Sequence, residues 1–582
     1  MFCAMSSTSG FALKRAAFSA LALLLVTALL GPWAAQAEKK KKRDGIEADT
    51  TIFATNSPVL RLRLDFDRQA LNSLRNDPRK FVRGRLTEFT DGETNVYPDV
   101  AVHLKGAAGS SRGIDDRAAL TINFEKFNPE QRFHGLKKIH LNNSVQDPSC
   151  CTEFLCGALF EASGVPAPKA GNTRVWINGR DRGLYVLKEG FNRDFIQRTF
   201  AGKESKGNFY DGGFLRDIDQ DLEKDFGEGP DDHSDLRALV SACQEPDLVK
   251  RWERLNQTLD VERFASFLAM NMMIWDWDGY PLNRNNYRIY FIPGNNKAVF
   301  VPHGMDQMFW DGNAGLIRDF NGIAARAFME TAQGRRLYRE RIVTLFTNAF
   351  QLEWMTNTIS VLHARNRAAL ASLGQNEVNE LDNGVDVVMN RVIDRWRGVQ
   401  RQIKPWIIAP PVAVAFSGDV ARIESWRVEE ERPAEKGHAK LAKAAAPDAT
   451  PSLAINATTN TTASWRSAVK LEPGRYRFEG RARGDAIESL VRKPAANQPA
   501  NAKPAEDRKG VGAGLRISTA GERAENQKPR KNSVVGTTEW MPLDFEFEIK
   551  PGMEEAELVC ELRAVKGTVW FDLASLKLVK LP

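Results

Sequence analysis

The stretch WDWDGYPLNRNNYRIY, residues 275–290, places two aspartates and three asparagines among aromatic side chains. Carboxylates and amides destabilise a protein core unless hydrogen bonds or ions satisfy them. An apolar, helix-like run, DVERFASFLAMNMM, precedes the stretch, and the β-rich run YRIYFI closes it. The pattern predicts a polar loop between a helix and a β-hairpin. This loop either forms a turn or holds a metal ion and a reacting hydroxyl.

A second acidic group follows the predicted hairpin. After the turn PGNNK and the strand AVFVPH, the segment PHGMDQMF presents Asp306. An aspartate, a downstream asparagine and a second aspartate are the set that phosphoryl transfer in protein kinases needs. One aspartate orients the acceptor hydroxyl, and the other two residues hold the metal. Oxygen ligands of this kind suit Mg²⁺ or Mn²⁺. We expect the polar loop and Asp306 to converge, and we interpret Asp276 as a turn or helix-capping residue.

The region before residue 200 offers groups for an anionic ligand. Lys105 ends the predicted strand VAVHLKG and enters the loop GAAGSSRG, whose glycines allow backbone N–H groups to approach an anion. Glu153 lies in the one clear helix of this region, which is predicted to begin near Asp147 and to end at Gly164. Glu153 can therefore pair with Lys105. The strand GLYVLKEG carries Glu189 toward the next region, where a nucleotide base can rest.

Two regions of different character precede residue 409. From about 57 to 200, alternating apolar and polar residues predict strands, and Asn178-Gly179 marks a hairpin. From about 230 to 408 the chain is helix-like, and only the hairpin after the polar loop interrupts it. We therefore expect an α+β fold with a β-rich first lobe and a helical second lobe. Clefts between lobes are common ligand sites.

The last region, residues 409–582, shows short strands with turn signals and no helix, which predicts a β-sandwich. Two tracts rich in Ala, Lys and Pro, EKGHAKLAKAAAPDATP and RKPAANQPANAKPAEDRKG, are interpreted as flexible insertions. Cys560 is predicted to be a core residue of one strand. Cys150, Cys151 and Cys156 are placed in one helix without a second ligand cluster, which argues against a zinc site.

The N-terminus has the pattern of a signal peptide. Lys14 and Arg15 precede an apolar run shorter than the roughly 20 residues of a membrane span, and Ala35-Gln36-Ala37 offers a cleavage site. We expect a signal peptide over residues 1–37, a basic leader over 38–56, and no integral membrane segment after cleavage. Removal of the two basic residues lowers the formal net charge from +7 to +5. The protein is expected to be secreted, periplasmic or in the cell envelope, where nucleic acid is not a partner.

The chain contains, in this order, the motifs VHLKGAAGSSRG, GLKKIHLNNSVQDPS, INGRDRGLYVLKEG, WDGYPLNRNNYRIYF and VPHGMDQMF. Together they resemble the spore-coat CotH family of atypical secreted protein kinases, over about residues 57–350. The resemblance implies a two-lobed, kinase-like domain over residues 57–408 that uses ATP with Mg²⁺ or Mn²⁺. It also implies transfer of the γ-phosphoryl group to Ser or Thr of an envelope or secreted protein.

The resemblance implies a catalytic aspartate, metal ligands and a set of cofactor contacts. By motif, Asp278 is the catalytic aspartate. Asp306 and Asn286 are the metal ligands, with Asn283 as the alternative to Asn286. The cofactor contacts are Lys105, Glu153, Ser110, Ser111, Arg112 and Glu189. Arg112, Arg117 and Lys126 compete with Lys105 for the role of basic phosphate contact. Many family members carry two aspartates in the last motif, where this chain has Gly304 and only Asp306.

Three functions remain open from the sequence. They are an active secreted kinase, a catalytically inactive pseudokinase or structural envelope protein, and a nucleotidyl transferase (AMPylation) that uses the same cleft, since a fold does not fix the reaction. The set of Asp278, Asn286 and Asp306 favours an enzyme. EPGRYRFEGRAR and GTVWFDLASLKL resemble strands of carbohydrate-binding modules. The C-terminal region is therefore expected either to dock the enzyme, with carbohydrate as its ligand, or to be a plain spacer.

Overall fold

The computed structural model describes most of the chain, namely residues 48–90, 92–107, 109–408, 411–430, 439–458, 461–489, 512–518, 533–549 and 554–582. The predicted signal peptide, most of the basic leader and the tract RKPAANQPANAKPAEDRKG lie outside these residues. Thr50–Pro582 form one compact unit. In the described part, no helix combines the length and the apolar composition that crossing a bilayer requires.

A closed seven-stranded barrel forms the first part of this unit. Its strands are β1 (Leu60–Asp65), β2 (Val82–Phe89), β3 (Thr94–Lys105), β4 (Ala119–Asn123), β5 (Lys138–Asn142), β6 (Ala170–Ile177) and β7 (Arg180–Glu189). The order around the barrel is β1-β2-β3-β4-β5-β7-β6, in which β1 and β6 pair in parallel and the other pairs are antiparallel. The predicted β-rich character and the hairpin at Asn178-Gly179 are confirmed. Closure leaves the barrel without an unpaired edge strand.

Three helices, rather than the one expected, accompany the barrel among its described residues. They are α1 (Arg68–Asn76), α2 (Thr152–Ala162) and α3 (Arg193–Thr199). α1 and α3 were not predicted from the sequence, although capping side chains precede both: Asp67 accepts a hydrogen bond from the first turn of α1, and Asn192 from that of α3. Both helices are shorter than three turns, so they carry little periodicity in the sequence.

The start predicted for α2 is wrong by about one turn. The Asp147 carboxylate accepts hydrogen bonds from the backbone N–H groups of Ser149 (3.2 Å) and Thr152 (3.0 Å), so it caps the helix from five residues upstream. Cys150 has a left-handed backbone with φ of +54°, which a helix does not allow. Of the three cysteines placed in this helix, only Cys156 therefore belongs to it. The helix ends at Ala162, ahead of Gly164, as predicted.

Helices dominate the next part, as predicted. They are α4 (Ser234–Cys243), α5 (Leu248–Thr258), α6 (Val261–Met273), α7 (Tyr280–Asn283), α8 (Ile323–Glu330), α9 (Ala332–Asn348), α10 (Leu352–Leu370) and α11 (Gln375–Ile408). A four-stranded antiparallel sheet of order β11-β10-β8-β9 comprises β8 (Phe209–Asp211), β9 (Glu223–Phe226), β10 (Tyr287–Ile292) and β11 (Lys297–Pro302). The hairpin of β10 and β11 is confirmed, and β8 and β9 extend it.

The C-terminal part is β-rich, as predicted. Its strands are β12 (Val412–Ala413), β13 (Val420–Arg422), β14 (Arg427–Glu430), β15 (Ala439–Ala445), β16 (Pro451–Ala457), β17 (Thr461–Lys470), β18 (Gly474–Ser489), β19 (Gly512–Ser518), β20 (Gly536–Ile549), β21 (Glu555–Asp572) and β22 (Lys577–Leu581). These described strands form one branched hydrogen-bonded network. The branching arises because the first half of β21 pairs with β17 and β19, and its second half with β16 and β18.

Part of one predicted flexible insertion is instead a strand, and its first four residues lie outside the described residues. The run AKLAKAA forms β15, which pairs antiparallel with β16 from Ala439 to Ala445. Pairing with a neighbouring strand has overridden the weak strand propensity of Ala and Lys. The C-terminal part has its own apolar core, which contains Cys560 as predicted and is distinct from the core of the preceding helices. An ion pair of 3.0 Å between Arg339 and Glu555 joins the two parts.

Candidate active site

The polar loop is held in place by the core on which it rests. α6 ends at Met273, and the completely buried guanidinium of Arg395 donates a hydrogen bond of 3.0 Å to the Met273 carbonyl oxygen. The backbone N–H of Phe309, three residues after Asp306, donates to the Ile274 carbonyl oxygen at 2.7 Å. The loop that follows α6 and the loop that carries Asp306 are therefore tied to each other through their backbones.

Unusual backbone conformations mark the same loop. Trp275, Arg284 and Asn286 all have φ between +53° and +55°. Non-glycine residues adopt this left-handed region at a cost, and such residues persist where the surrounding structure enforces them, often at functional sites. The polar loop is thus more than a simple turn between α6 and β10.

Asp278 lies at the centre of this loop and accepts hydrogen bonds from three asparagine side chains. The Nδ2 group of Asn283 donates to one carboxylate oxygen at 3.3 Å, and those of Asn285 and Asn286 donate to the other at 2.9 and 3.0 Å. The amides fix the carboxylate in one orientation and keep it available as an acceptor. Because each amide directs its nitrogen to Asp278, its carbonyl oxygen remains for another partner.

A buried ion pair lies between the barrel and α2. The ammonium group of Lys188, on β7, is 2.6 Å from the Glu153 carboxylate, and the two side chains are only 5% and 2% exposed. Lys105 does not pair with Glu153 directly, so that expectation is wrong. Its Nζ donates to Asn142 Oδ1 at 2.5 Å, and the Asn142 amide in turn donates to Glu153 at 3.0 Å. Glu153 thus organises two lysines, one directly and one through Asn142.

Asp306 interacts electrostatically with this pair. Burial, and then the negative charge of Glu153, raise the pKa of Asp306 to about 7, while Lys188 acts in the opposite direction. Burial, and then the positive charge of Lys188, lower the pKa of Lys105 to about 7, and the charges of Glu153 and Asp306 act against this shift. The charges of Asp306, Lys105, Lys188 and Glu153 are therefore coupled to one another.

The turn predicted at Asp276 is present, since its carbonyl oxygen accepts a hydrogen bond from the backbone N–H of Gly279 at 3.3 Å. Its side chain is completely buried, and no hydrogen bond of normal geometry reaches either of its carboxylate oxygens, so it caps no helix. Burial, and then the negative charges of Asp278 and Asp306, raise its pKa well above the usual range. The charge state of Asp276 is therefore coupled to the two aspartates that the sequence singled out.

Four of the expected cofactor contacts lie elsewhere. Arg112 donates to carbonyl oxygens of its own loop, those of Gly109 and Ser111. Ser110 accepts a hydrogen bond through its carbonyl oxygen from Asn143, at 2.9 Å. In the described residues, no hydrogen bond or ion pair joins this loop to Lys188, Glu153 or Asp306. Ser110, Ser111 and Arg112 therefore have no demonstrated place in the cluster.

Glu189 also faces away from the cluster. Its carboxylate accepts two hydrogen bonds from the Arg198 guanidinium, at 3.2 and 2.9 Å, and one from the backbone N–H of Lys169. Because side chains alternate across a strand, Glu189 and Lys188 point to opposite sides of β7. In the structure Lys188 pairs with Glu153, whereas Glu189 pairs with Arg198. The signal for Lys188 was a lysine at the end of the apolar run LYVL, where a solvated side chain is not expected.

The cluster contains oxygen atoms that suit a hard cation such as Mg²⁺, but it is not a group of several closely spaced carboxylates. Among the described residues, no three Asp, Glu, His or Cys side chains are grouped as a metal site. The Asn286 Oδ1 atom points toward Gly304, where an added Cβ would lie 2.5 Å from it. Gly304, two residues before Asp306, thus leaves room for an amide oxygen beside the Asp306 loop. Carboxylate and amide oxygens such as those of Asp306 and Asn286 are of the type that Mg²⁺ and Mn²⁺ bind.

These observations define an α+β protein with a buried lysine–glutamate pair and acidic groups from two joined loops. A family model described as CotH kinase protein matches residues 102–411, more than half of the chain. The chain belongs to the CotH family. It is similar to the inner spore coat protein H of Bacillus subtilis, with 21% identity over 294 residues that cover 46% of this chain and 79% of that protein.

Further relatives come from the fungus Rhizopus delemar. The protein named invasin CotH3 is 22% identical over 372 residues, which cover 57% of this chain and 59% of the invasin, and invasin CotH2 matches to a similar extent. The chain thus spans about three fifths of the length of these two relatives.

Solved structures match the chain only weakly. A carbohydrate-binding module, TmCBM61 in complex with β-1,4-galactotriose, is 15% identical and covers 28% of this chain and 91% of its own, with a TM-score of 0.18. The CBM22-1 xylan-binding domain of Paenibacillus barcinonensis Xyn10C is 10% identical and covers 28% and 90%, also with a TM-score of 0.18. Likeness at this level assigns neither a ligand nor a binding surface to this chain.

Proposed function

We propose that this protein is a secreted atypical protein kinase that transfers the γ-phosphoryl group of ATP to Ser or Thr of envelope or secreted proteins. One observation carries the proposal: the charges of the buried pair Lys188 and Glu153 act on Asp306, and the Asp306 loop is joined by its backbone to the loop of Asp278. A lysine–glutamate pair, a metal aspartate and a catalytic-loop aspartate are the parts that protein kinases combine. In this proposal the barrel and the helical part are the two lobes of the domain over residues 57–408.

Lys188 and Lys105 would contact the phosphates of ATP. Glu153 holds Lys188 by a direct ion pair and holds Lys105 through Asn142, so both ammonium groups are oriented before the nucleotide arrives. Lys188 takes the role that the sequence assigned to Lys105, and Lys105 becomes a second cationic contact. Asp306 and Asn286, with Asn283 as its rival, would hold Mg²⁺ or Mn²⁺. When bound, the cation neutralises charge on the phosphates.

Asp278 would act on the acceptor. Its carboxylate is half-buried, is oriented by three amide donors and retains acceptor capacity for a hydroxyl group. The acceptor oxygen forms a bond to the γ-phosphorus while the bond from that phosphorus to the β–γ bridging oxygen breaks. ADP leaves with the electron pair of the broken bond, and Asp278 takes the hydroxyl proton.

A specific observation also favours a second candidate, a pseudokinase or structural envelope protein. Gly304 stands where many family members carry an additional aspartate, and the position has φ of +65° with the Asn286 side chain against it. An aspartate does not fit there without a shift of Asn286. With one acidic metal ligand fewer, binding of the cation and its nucleotide is weaker. The names of the relatives, a spore coat protein and invasins, are compatible with such a structural role.

ATP labelled at the γ or at the α phosphate distinguishes the candidates. Incubation of the purified protein with Mg²⁺ or Mn²⁺ and a serine-containing protein should transfer the γ label and not the α label. Transfer of the α label would mean nucleotidyl transfer in the same cleft. Transfer of neither label, by a folded protein and with both metals, would support the structural candidate.

The remaining parts of the proposal concern location. The N-terminal pattern supports export to the envelope or the exterior, with the mature chain starting near Glu38. The C-terminal β-rich region has its own core and would dock the enzyme on its target surface, with carbohydrate as the ligand class. An intact N-terminus recovered from a membrane fraction would contradict cleavage.

A further inference from the structure

Three acceptor oxygens meet in the core without a donor. Both carboxylate oxygens of Asp276 and the Oδ1 atom of Asn271 are buried and accept no hydrogen bond, and the residues are 0% and 1% exposed. Their positions converge, because a Cβ added to Gly279 would lie 2.5 Å from Asp276 Oδ2 and 2.6 Å from Asn271 Oδ1. Asn271 lies near the end of α6, and Gly279 follows Asp278, so this point is directly beneath the polar loop.

Such an arrangement is not stable if Asp276 is ionised. A buried, ionised carboxylate without a donor strongly destabilises the folded state, and the acidic groups around it add to this effect. Asp278 comes from the same loop, Asp306 from the loop after β11, and the Cys156 thiol faces it from α2. The backbone N–H groups of Asp278 and Gly279 act in the opposite direction, but neither makes a hydrogen bond of normal geometry to the carboxylate, and the effect of burial is larger.

A bound cation is the less suitable solution. Mg²⁺ dehydrates reluctantly and keeps several waters in protein sites, whereas side chains that are 0% and 1% exposed leave no path to water. Asp276 and Asn271 alone supply three oxygens, fewer than an octahedral ion requires. A proton on Asp276 needs no coordination shell, and it provides the hydrogen-bond donor that these three oxygens lack.

We propose that Asp276 is a neutral carboxylic acid that donates its proton to Asn271 Oδ1 and thereby holds the Asp278 loop against the end of α6. Asp276 is then a positioning residue for Asp278 and does not contact substrate. Gly279 is required because any side chain there would displace the two oxygens. With Asp276 neutral, Asp278 and Asp306 carry the negative charge near the polar loop. The inference concerns the folded chain and is independent of phosphoryl transfer.

The test is the pH dependence of stability in Asp276→Asn. The amide keeps the shape of the side chain and donates permanently to Asn271. In the unfolded chain an aspartate loses its proton near pH 4, whereas folded Asp276 retains it, so the parent loses stability relative to the variant as pH rises. The advantage of Asp276→Asn should be small near pH 4.5 and should grow toward pH 8, by up to a factor of ten in the folding equilibrium constant per pH unit.

Urea denaturation at pH 4.5, 6 and 8, with EDTA and again with Mg²⁺, would measure this advantage. Asp276→Ala provides the contrast, because it removes the donor and should be less stable than Asp276→Asn at every pH. Asp394→Asn makes the same charge change on a side chain that is 69% exposed and should show no comparable trend. A pH-independent difference between Asp276→Asn and the parent would overturn the proposal. So would a loss of stability in Asp276→Asn that appears only with Mg²⁺, because that result would identify a cation site.

Discussion

Replacement of Lys188 by methionine is the perturbation that the structure resolves best. The Lys188–Glu153 pair measures 2.6 Å, and its side chains are 5% and 2% exposed. Removal of one partner of a buried pair costs about 3 to 5 kcal/mol, because the other charge stays buried without compensation. Here the Asn142 amide still donates to Glu153, so we expect the lower end, about 3 kcal/mol. Lys188→Met should also abolish ATP binding, because the main phosphate contact is lost.

A double-mutant cycle separates the pair from other effects of the substitution. In Lys188→Met with Glu153→Gln no charge is left unpaired, so much of the lost stability should return, with a coupling energy of about 2 kcal/mol. ATP binding should remain lost in the double variant. Lys105→Met is the matched control, since it breaks one hydrogen bond to Asn142 and should cost about 1 kcal/mol.

Urea denaturation gives the stabilities, and calorimetric titration with ATP gives the binding. Additive losses in the double variant would show that Lys188 and Glu153 do not act as a pair. Full ATP binding by Lys188→Met would refute the assignment of Lys188 to the phosphates. Loss of binding by Lys105→Met alone would restore the assignment made from the sequence.

Three further outcomes are expected. The pKa of Lys105 is about 7, so its positive charge is present below that pH and lost above it. The affinity for metal-free ATP should therefore fall as pH rises from 6 to 8.5. Lys105→Arg keeps its charge and should abolish this trend in a titration series. Gly304→Ala would press a Cβ against Asn286 Oδ1 at 2.5 Å, so it should destabilise the protein more than Gly294→Ala, which has φ of +91° but no neighbour within 4 Å, by about 1 kcal/mol or more in urea denaturation. Removal of residues 409–582, whose core is separate, should leave turnover on a short serine peptide intact, and complete loss would contradict a modular tail.

Much of the site could be predicted from local sequence patterns. The polar loop between α6 and β10 could be predicted, because a helix end, a hairpin and the spacing of Asp278 and Asn286 are all features of neighbouring residues. The location of Asp306 after β11 followed from the same hairpin. What the three asparagines do was not predictable, because their common partner is set by the left-handed turns at Arg284 and Asn286.

Contacts between distant segments could not be predicted. Lys188 and Glu153 are 35 residues apart and meet only because the closed barrel places β7 beside α2. A strand presents two faces, and the one local indication that Lys188 rather than Glu189 faces Glu153 was the position of the lysine at the end of the apolar run LYVL. The burial of Asp276 could not be predicted for a related reason. Its neighbours in the chain indicate the turn that is found, whereas its burial depends on residues outside the loop, such as Asn271.

The central claim is that Asp306 binds the metal and Asp278 acts on the acceptor, and one experiment tests this claim directly. Calorimetric titration of Mn²⁺-ATP into the parent, Asp306→Asn and Asp278→Asn should accompany turnover on a serine peptide. Asp306→Asn should weaken binding and abolish turnover, because charge is removed from the metal ligands. Asp278→Asn should bind Mn²⁺-ATP nearly as the parent does while turnover falls by about two to four decades, because its role lies with the acceptor in the transition state. Equal turnover in Asp278→Asn and the parent would contradict the account.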